Sequence, residues 1–398
     1  MKSYTFQVRI LHVQNNRLSR LSNSTLRGLQ QAEVVDLSHN RISSIQPEAF
    51  SGFHHIRDLD LSHNKLRTIK SGAFRGCLTL KKLTLASSGL MYIDNHALDD
   101  FIALQELDLS GNQLVMPNSF AKIKSLPQIK ILKLSGNDLR NVTRAILKSS
   151  QQQADLSLNQ LVHLQHLELE NCQLRNISKP VLWRDNANLK VVKLGGNRLT
   201  ELPDGLFAKQ IFLEELHLDG NGFESVPNEA MKYLYHLKVL NMSSNRIRKL
   251  SENSFDYVNS LQVLDLSANN MRLISERAFH NVTKLLKLSI EYNQMSSFFT
   301  RTFLPLAELV EFKAKGNRIP FIPVAVQGLR QVSLLDFSNN HFTRIKEIPE
   351  SRAVMKSVTD VTITRTNLTT VSSVYDIKLL DIFPSFYIHF RCPQVTLS

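Results

Sequence analysis

Val34 to Leu66 reads VVDLSHNRISSIQPEAFSGFHHIRDLDLSHNKL, and LSHN occurs in it twice. Asn40 and Asn64 stand 24 residues apart, with Leu37/Leu61 and Ile42/Leu66 in register. The stretch is one unit copied, of the form L-x-L-x-x-N-x-L-x-x-I-x-x-x-x-F-x-x-L-x-x-L-x-x. In L-x-L the apolar residues alternate, so both point to one face of a short strand and the residues between them to the other. Consecutive copies stack their strands into a parallel sheet. Past the strand the chain turns away and leaves inward-facing backbone groups without ladder partners. An Asn side chain carries both donor and acceptor and can bridge them. Ile45, Phe50, Phe53 and Ile56, spaced three to five apart, pack behind the sheet from the convex side.

Ladder positions recur along the chain at Asn16, Asn40, Asn64, Ser88, Asn112, Asn137, Cys172, Asn197, Asn221, Asn245, Asn269, Asn293, Asn317, Asn340 and Thr366. The spacing predicts an α/β solenoid of about 15 repeats, a horseshoe with its parallel sheet on the concave face. Strands about 4.8 Å apart would give an inner arc of roughly 65 to 70 Å. Residues 1–9 form an N-terminal flank, 10–371 the solenoid, and 372–398 a degenerate C-terminal segment in which FYIHF (386–390) is a candidate last strand. The long step from Asn137 to Cys172 marks an irregular repeat near 138–171, with an insert around Lys148 to Leu161 that reads either as a convex-side helix or as a degenerate copy. Neither end carries a recognisable cap, and Met1 to Arg9 has no apolar core of a secretory signal, so the chain is expected to be a fragment, an isoform or an incomplete gene model.

A chain of 398 residues that is 42% hydrophobic can bury a large core, and only 14 Gly and 12 Pro argue against a loop-rich protein. No apolar run reaches the 18 or more residues of a membrane helix. Cys77 and Cys172 occupy core and ladder slots, and Cys392 is a candidate relic of a cap. Three cysteines fit a reducing compartment as readily as an oxidising one. His163 and His166 have no third ligand in prospect, so no metal site is assigned. There is no G-x-S-x-G, P-loop or G-x-G-x-x-G, and neither catalytic nor cofactor-binding residues are expected.

The 24-residue spacing, the strings LDLSHN, LDLSGN (107–112) and LDLSAN (264–269), and the Phe ten residues past Asn (Phe50, Phe74, Phe207, Phe255, Phe279, Phe303) resemble the typical extracellular leucine-rich repeat. That class includes proteins similar to chaoptin, Toll-receptor ectodomains and Slit-like adhesion proteins. The resemblance covers about residues 10 to 371. It implies that the concave sheet or a flank holds a protein, glycan or lipid-bearing ligand, with homodimerisation as one arrangement. The chain departs from that class in lacking a signal peptide, cysteine caps, a membrane span and a Toll-type signalling domain.

Residues flanking the strand leucines are the candidate partner-binding set: Asp58, Asp60, Glu106, Asp108, Glu168, Glu170, Glu215, His217, Asp219 and Asp265. Asp in LDLS is also consensus, which gives Asp36, Asp60, Asp108, Asp265 and Asp336 a structural reading as well. The net charge of +13 gathers just past the ladder, at Arg17, Arg20, Arg41, Lys65 and Arg67 and again in the basic flank Arg198, Arg246, Arg248, Lys249 and Arg272. Such a ridge could attract sulfated glycan, anionic membrane or nucleic acid through summed potential, and a solvated face is the plainer reading. The regular aromatic interleaving of single-strand binders is missing, which disfavours nucleic acid. Candidate N-glycosylation sequons stand at Asn23, Asn141, Asn176, Asn241, Asn281 and Asn367, where chance would supply roughly four.

These features lead to a non-enzymatic module for a protein ligand or co-receptor, at the cell surface or secreted. Two alternatives stay open: an intracellular, cytoplasmic scaffold, and an innate-immune or sulfated-glycan sensor that uses the basic flank.

Overall fold

A computed structural model of the chain describes residues 8–114, 123, 125–140, 161–177, 186–342, 360–364 and 366. The chain divides into two compact units, Met1–Arg198 and Leu199–Ser398.

In the first unit the main sheet runs through Ile10–His12, Val34–Asp36, Asp58–Asp60, Lys82–Thr84, Glu106–Asp108, Ile131–Lys133, His166–Glu168 and Val191–Lys193, each parallel to the next. In the second it runs through Glu215–His217, Val239–Asn241, Val263–Asp265, Lys287–Ser289, Glu311–Lys313, Leu334–Asp336 and Asp360–Thr362. Each strand is three residues long. From Val35 to Leu335 the central residue is buried, and its two neighbours are half-exposed in almost every strand. That is the alternation a sheet with one buried face imposes.

The ladder supplies the bonds that such short strands cannot. Asn64 Oδ1 accepts from the Ile42 amide (2.9 Å), while Nδ2 donates to Leu61 O in its own repeat (2.9 Å) and Leu37 O in the repeat before (3.1 Å). The same three-way bridge recurs at Asn112, Asn197, Asn245, Asn269, Asn293, Asn317 and Asn340. Asn221 and Asn245 are 8% and 6% exposed, so this polarity is interior. Ser88 and Cys172 keep part of the bridge: Ser88 Oγ donates to Leu61 O (3.1 Å) and Cys172 Sγ to Leu134 O (3.4 Å). The Cys172 contact, with the register Leu132↔Leu167, shows that the 35-residue step leaves the sheet unbroken.

The residue before the ladder position is left-handed in each described repeat, from Asn15 (φ 59°) and His39 (52°) to Gly316 (70°) and Asn339 (56°). This conformation turns the chain off the sheet so that the Asn amide faces inward. It costs little for Gly and Asn, more for Ala268 (51°) and Tyr292 (51°).

Behind the sheet, Phe50, Phe74 and Phe101 contact in series with ring centroids 5.9 and 5.1 Å apart, and Phe255, Phe279 and Phe303 stack at 6.1 Å. Outside the main sheet lie short parallel pairs, Arg20–Leu21 with Ser44–Ile45 and Thr68–Ile69 with Tyr92–Ile93 in the first unit and Lys249–Leu250 with Leu273–Ile274 in the second, together with two 3-10 helices in the second, Asn228–Met231 and Val324–Gly328. The insert at 148–161 lies outside the described residues except for buried Leu161. The N-terminal stretch 1–7, Asn141, FYIHF, Cys392 and Asn367 lie outside them too.

Candidate interaction surface

A three-residue strand presents its first and third side chains on the open face, and the register lines them up across repeats. In the first unit this places Asp58, Lys82 and Glu106 in one row, and Asp60, Thr84, Asp108, Lys133, Glu168 and Lys193 in another. Sequence reasoning singled out the acidic members and passed over the lysines, although Lys133 and Lys193 fill the same L-x-L slots as Asp60 and Glu168, and Lys82 stands just before one, as Asp58 and Glu106 do. Glu106 lies between Lys82 (3.7 Å) and Lys133 (3.3 Å), and Glu168 pairs with Lys193 (3.0 Å). The surface is a lattice of alternating charge more than an acidic field. Burial pushes the Asp58 carboxyl up, opposed by Lys82 and reinforced by Asp60, Glu106 and Asp36. Glu170 lies two residues past Glu168, with its backbone N–H on Ser135 Oγ (3.1 Å).

In the second unit Glu215 and His217 share a strand and approach to 3.5 Å. His217, Asn241 and Asp265 are aligned in register, and Asp219 follows just past the first strand. Further along, Glu311 contacts Lys287 (3.3 Å) and Lys313. The hydrogen bond from Lys313 holds the Glu311 carboxyl below its ordinary range against the opposing effect of burial. On Glu291 burial dominates and raises the carboxyl.

The consensus aspartates have a backbone task. Asp36, Asp60, Asp108, Asp265 and Asp336 each accept, through Oδ1, the amide two residues on, at 2.8 to 2.9 Å. One oxygen pins the strand exit, and all five side chains remain half-exposed.

On the flank, Arg198, Arg246, Arg248, Lys249 and Arg272 are all exposed. Arg248 approaches Glu224 (3.8 Å), Arg272 Nε donates to Gln294 Oε1 (2.9 Å) and Arg198 to Gln173 Oε1 (3.4 Å). In the first unit Arg17, Arg41 and Lys65 occupy one position in three consecutive repeats, tied by Arg41 N–H to Leu18 O and Lys65 N–H to Ile42 O (both 2.8 Å). None of the three makes an ion pair among the described residues.

The Cys77 and Cys172 thiols are buried, which pushes both up to about 12. Among the described residues no cluster of His, Cys, Asp or Glu is placed to hold a metal ion, and no helix is long and apolar enough to cross a membrane. Of the sequon asparagines, Asn23 and Asn176 are exposed and Asn241 and Asn281 half-buried.

No curated protein matches the chain in sequence. Among solved structures it is similar to a leucine-rich-repeat protein of Leptospira interrogans, with 23% identity over 96% of each chain and a TM-score of 0.73. It is similar to Toll from Drosophila, solved with Spatzle, with 19% identity over 88% of this chain and a TM-score of 0.68. It is also similar to an internalin of Listeria monocytogenes, with 16% identity over 90% of this chain and 87% of that one and a TM-score of 0.58. The chain spans 46% of the Toll chain's length. The family model described as leucine rich repeat matches residues 6–66, 55–114, 212–271 and 259–319, together more than half of the chain. The protein therefore belongs to the leucine rich repeat family.

Proposed function

We propose that the chain is a non-enzymatic extracellular module that docks a protein partner, or co-receptor, on the open strand face of its first unit. One observation carries this reading: charged side chains stand at fixed, half-exposed positions on a hydrogen-bonded sheet, with Lys82, Glu106 and Lys133 and then Glu168 and Lys193 in alternation. Complementary charge set out in this way selects partners and speeds encounter more than it adds raw affinity. Because the ladder already fixes the backbone, docking would order little, and the entropic cost of association falls. The Toll chain solved with Spatzle, similar in fold, supports a protein as the occupant.

The test is an arrayed panel of secreted and cell-surface proteins probed with the secreted chain. The expected hit loses at least tenfold in affinity when Glu106 and Lys133 are changed to Ala, and is unaffected by Arg75→Ala on the convex side. A partner indifferent to the strand-face changes and lost with the convex one overturns the reading.

A second reading rests on Arg17, Arg41 and Lys65, three consecutive cations without an ion-pair partner among the described residues. They are the strongest candidates for holding a sulfated glycan. Heparin retention that drops to baseline on triple substitution by Ala supports it. Retention unchanged by that triple, or absent from the parent, removes it.

A further inference from the structure

Strand Val239–Asn241 of the second unit carries the sequon Asn241-Met242-Ser243 on its open face. Asn241 stands where Asp36, Asp60, Asp108, Asp265 and Asp336 stand in other repeats, and its Oδ1 accepts the Ser243 amide at 3.0 Å as theirs do. Because the partner is a backbone N–H, the oxygen of the carboxamide must face it, and Nδ2 takes the place of the second carboxylate oxygen. Nδ2 has no hydrogen-bond partner among the described residues. At two other sequons the nitrogen is engaged: Asn23 Nδ2 donates to Ser51 Oγ (3.3 Å) and Asn281 Nδ2 to Asp256 Oδ1 (3.2 Å).

The surroundings of Asn241 are independently permissive. The lysine and glutamate pairs seen elsewhere on this face are interrupted here, since strands 239–241 and 263–265 read VLN and VLD. His217 and Asp265 flank Asn241 in register, Val263 lies beside Val239, and Ser243 and Ser267 follow the two strands. Val239, Val263, Ser243 and Ser267 are small, and they leave space for a sugar ring at the amide nitrogen beside His217 and Asp265.

We propose that Asn241 is N-glycosylated, with its glycan standing over the open face of the second unit. The donor class is a lipid diphosphate-linked oligosaccharide. The amide nitrogen bonds to the anomeric carbon, the bond from that carbon to the diphosphate oxygen breaks, the lipid diphosphate leaves, and the amide releases one proton. A glycan there covers His217, Asp265, Val239 and Val263, so a large protein cannot seat on those strands. This agrees with docking on the first unit, and it rests on the extracellular reading given above.

The test is glycopeptide mass spectrometry on the full chain secreted from glycosylating cells, alongside Asn241→Asp and Ser243→Ala. The expected result is a glycan on the Asn241 peptide. Asn241→Asp restores the residue found at five equivalent positions and keeps the Oδ1 bond, so it should be secreted at the parental level with one glycan fewer. Ser243→Ala should lose the same glycan while keeping Asn241. If other sequons carry glycan and the Asn241 peptide is bare, the inference fails and the extracellular reading stands. If no sequon carries glycan, both fail together.

Discussion

Replacing Asn269 by Ala tests whether the ladder holds the repeats together or merely accompanies them. Asn269 Oδ1 accepts the Ile247 amide at 3.0 Å, and Nδ2 donates to Met242 O (3.0 Å), Leu266 O (3.0 Å) and Ser267 O (3.1 Å). The losses are unequal. Met242 O keeps a second donor, Asn245 Nδ2; Leu266 O keeps Asn293 Nδ2; Ser267 O keeps the Ser244 amide. Only the Ile247 N–H loses its sole partner, inside a residue of zero exposure. An orphaned buried donor costs about 1–3 kcal/mol, and the weakened carbonyls add roughly 1 more, for a total of about 3 kcal/mol. In a solenoid this cost falls on local opening. Hydrogen exchange of peptides spanning 242–250 should therefore speed up by about 100-fold at tenfold per 1.36 kcal/mol. Asn269→Asp should cost more than Ala, because its carboxylate would face the Met242 and Leu266 carbonyls in place of a donor. The control is Asn16→Ala, an exposed ladder end whose amide reaches only Val13 O (3.1 Å) and Gln14 O (3.2 Å); it should change stability by no more than about 0.5 kcal/mol. Equal effects at Asn269 and Asn16 would refute this accounting.

Three further perturbations follow from the same geometry. Ala268→Gly, at φ 51°, should stabilise the chain by about 0.5–1 kcal/mol, read as a rise in urea midpoint with an unchanged slope; a fall would show that the position is not strained. The two perturbed carboxyls should respond to pH with opposite sign. Asp58 is raised on folding, so its charged form opposes folding and Asp58→Asn should raise Tm at pH 7 with no effect at pH 3. Glu311 is lowered, so its contribution is present at pH 7 and fades as pH falls through the acid range, and Glu311→Gln should lower Tm at pH 7 and lose that effect at pH 3. Same-sign shifts in the two variants would contradict the assignments. Finally, Cys77 and Cys172, buried and pushed up to about 12, should resist maleimide at pH 7.5 and label fully in urea; rapid labelling of the folded chain would contradict their burial.

Much of the fold could be read from residues that have only one physical use. An Asn recurring every 24 or 25 residues behind L-x-L has no role in a generic strand, and a Phe ten residues later must be buried beside its neighbours. The left-handed position before each ladder residue was harder to see, because Gly, Asn, His, Ser, Ala and Tyr all fill it and no single residue type marks it. The five glycines there, Gly111, Gly136, Gly196, Gly220 and Gly316, were the available signal. The open face was read one charge at a time, so its acids stood out. The lysines that neutralise them arrive from the neighbouring repeat, a relation visible only once register is imposed. The double use of the consensus aspartates was hidden for a similar reason: a backbone amide two residues on leaves no mark in the sequence.

Glu168 and Lys193 offer the most direct measurement, because their ion pair at 3.0 Å can be inverted without being broken. In the double variant Glu168→Lys with Lys193→Glu, the pair re-forms and the leucines and ladder are untouched, while the pattern offered to a partner is reversed. Because Lys133 stands opposite position 168 in register, the inversion sets a lysine beside it, so the expected result is a modest fall in melting temperature with at least a tenfold loss of affinity for the partner identified on the array. Full affinity in the inverted variant would contradict recognition by this strand face.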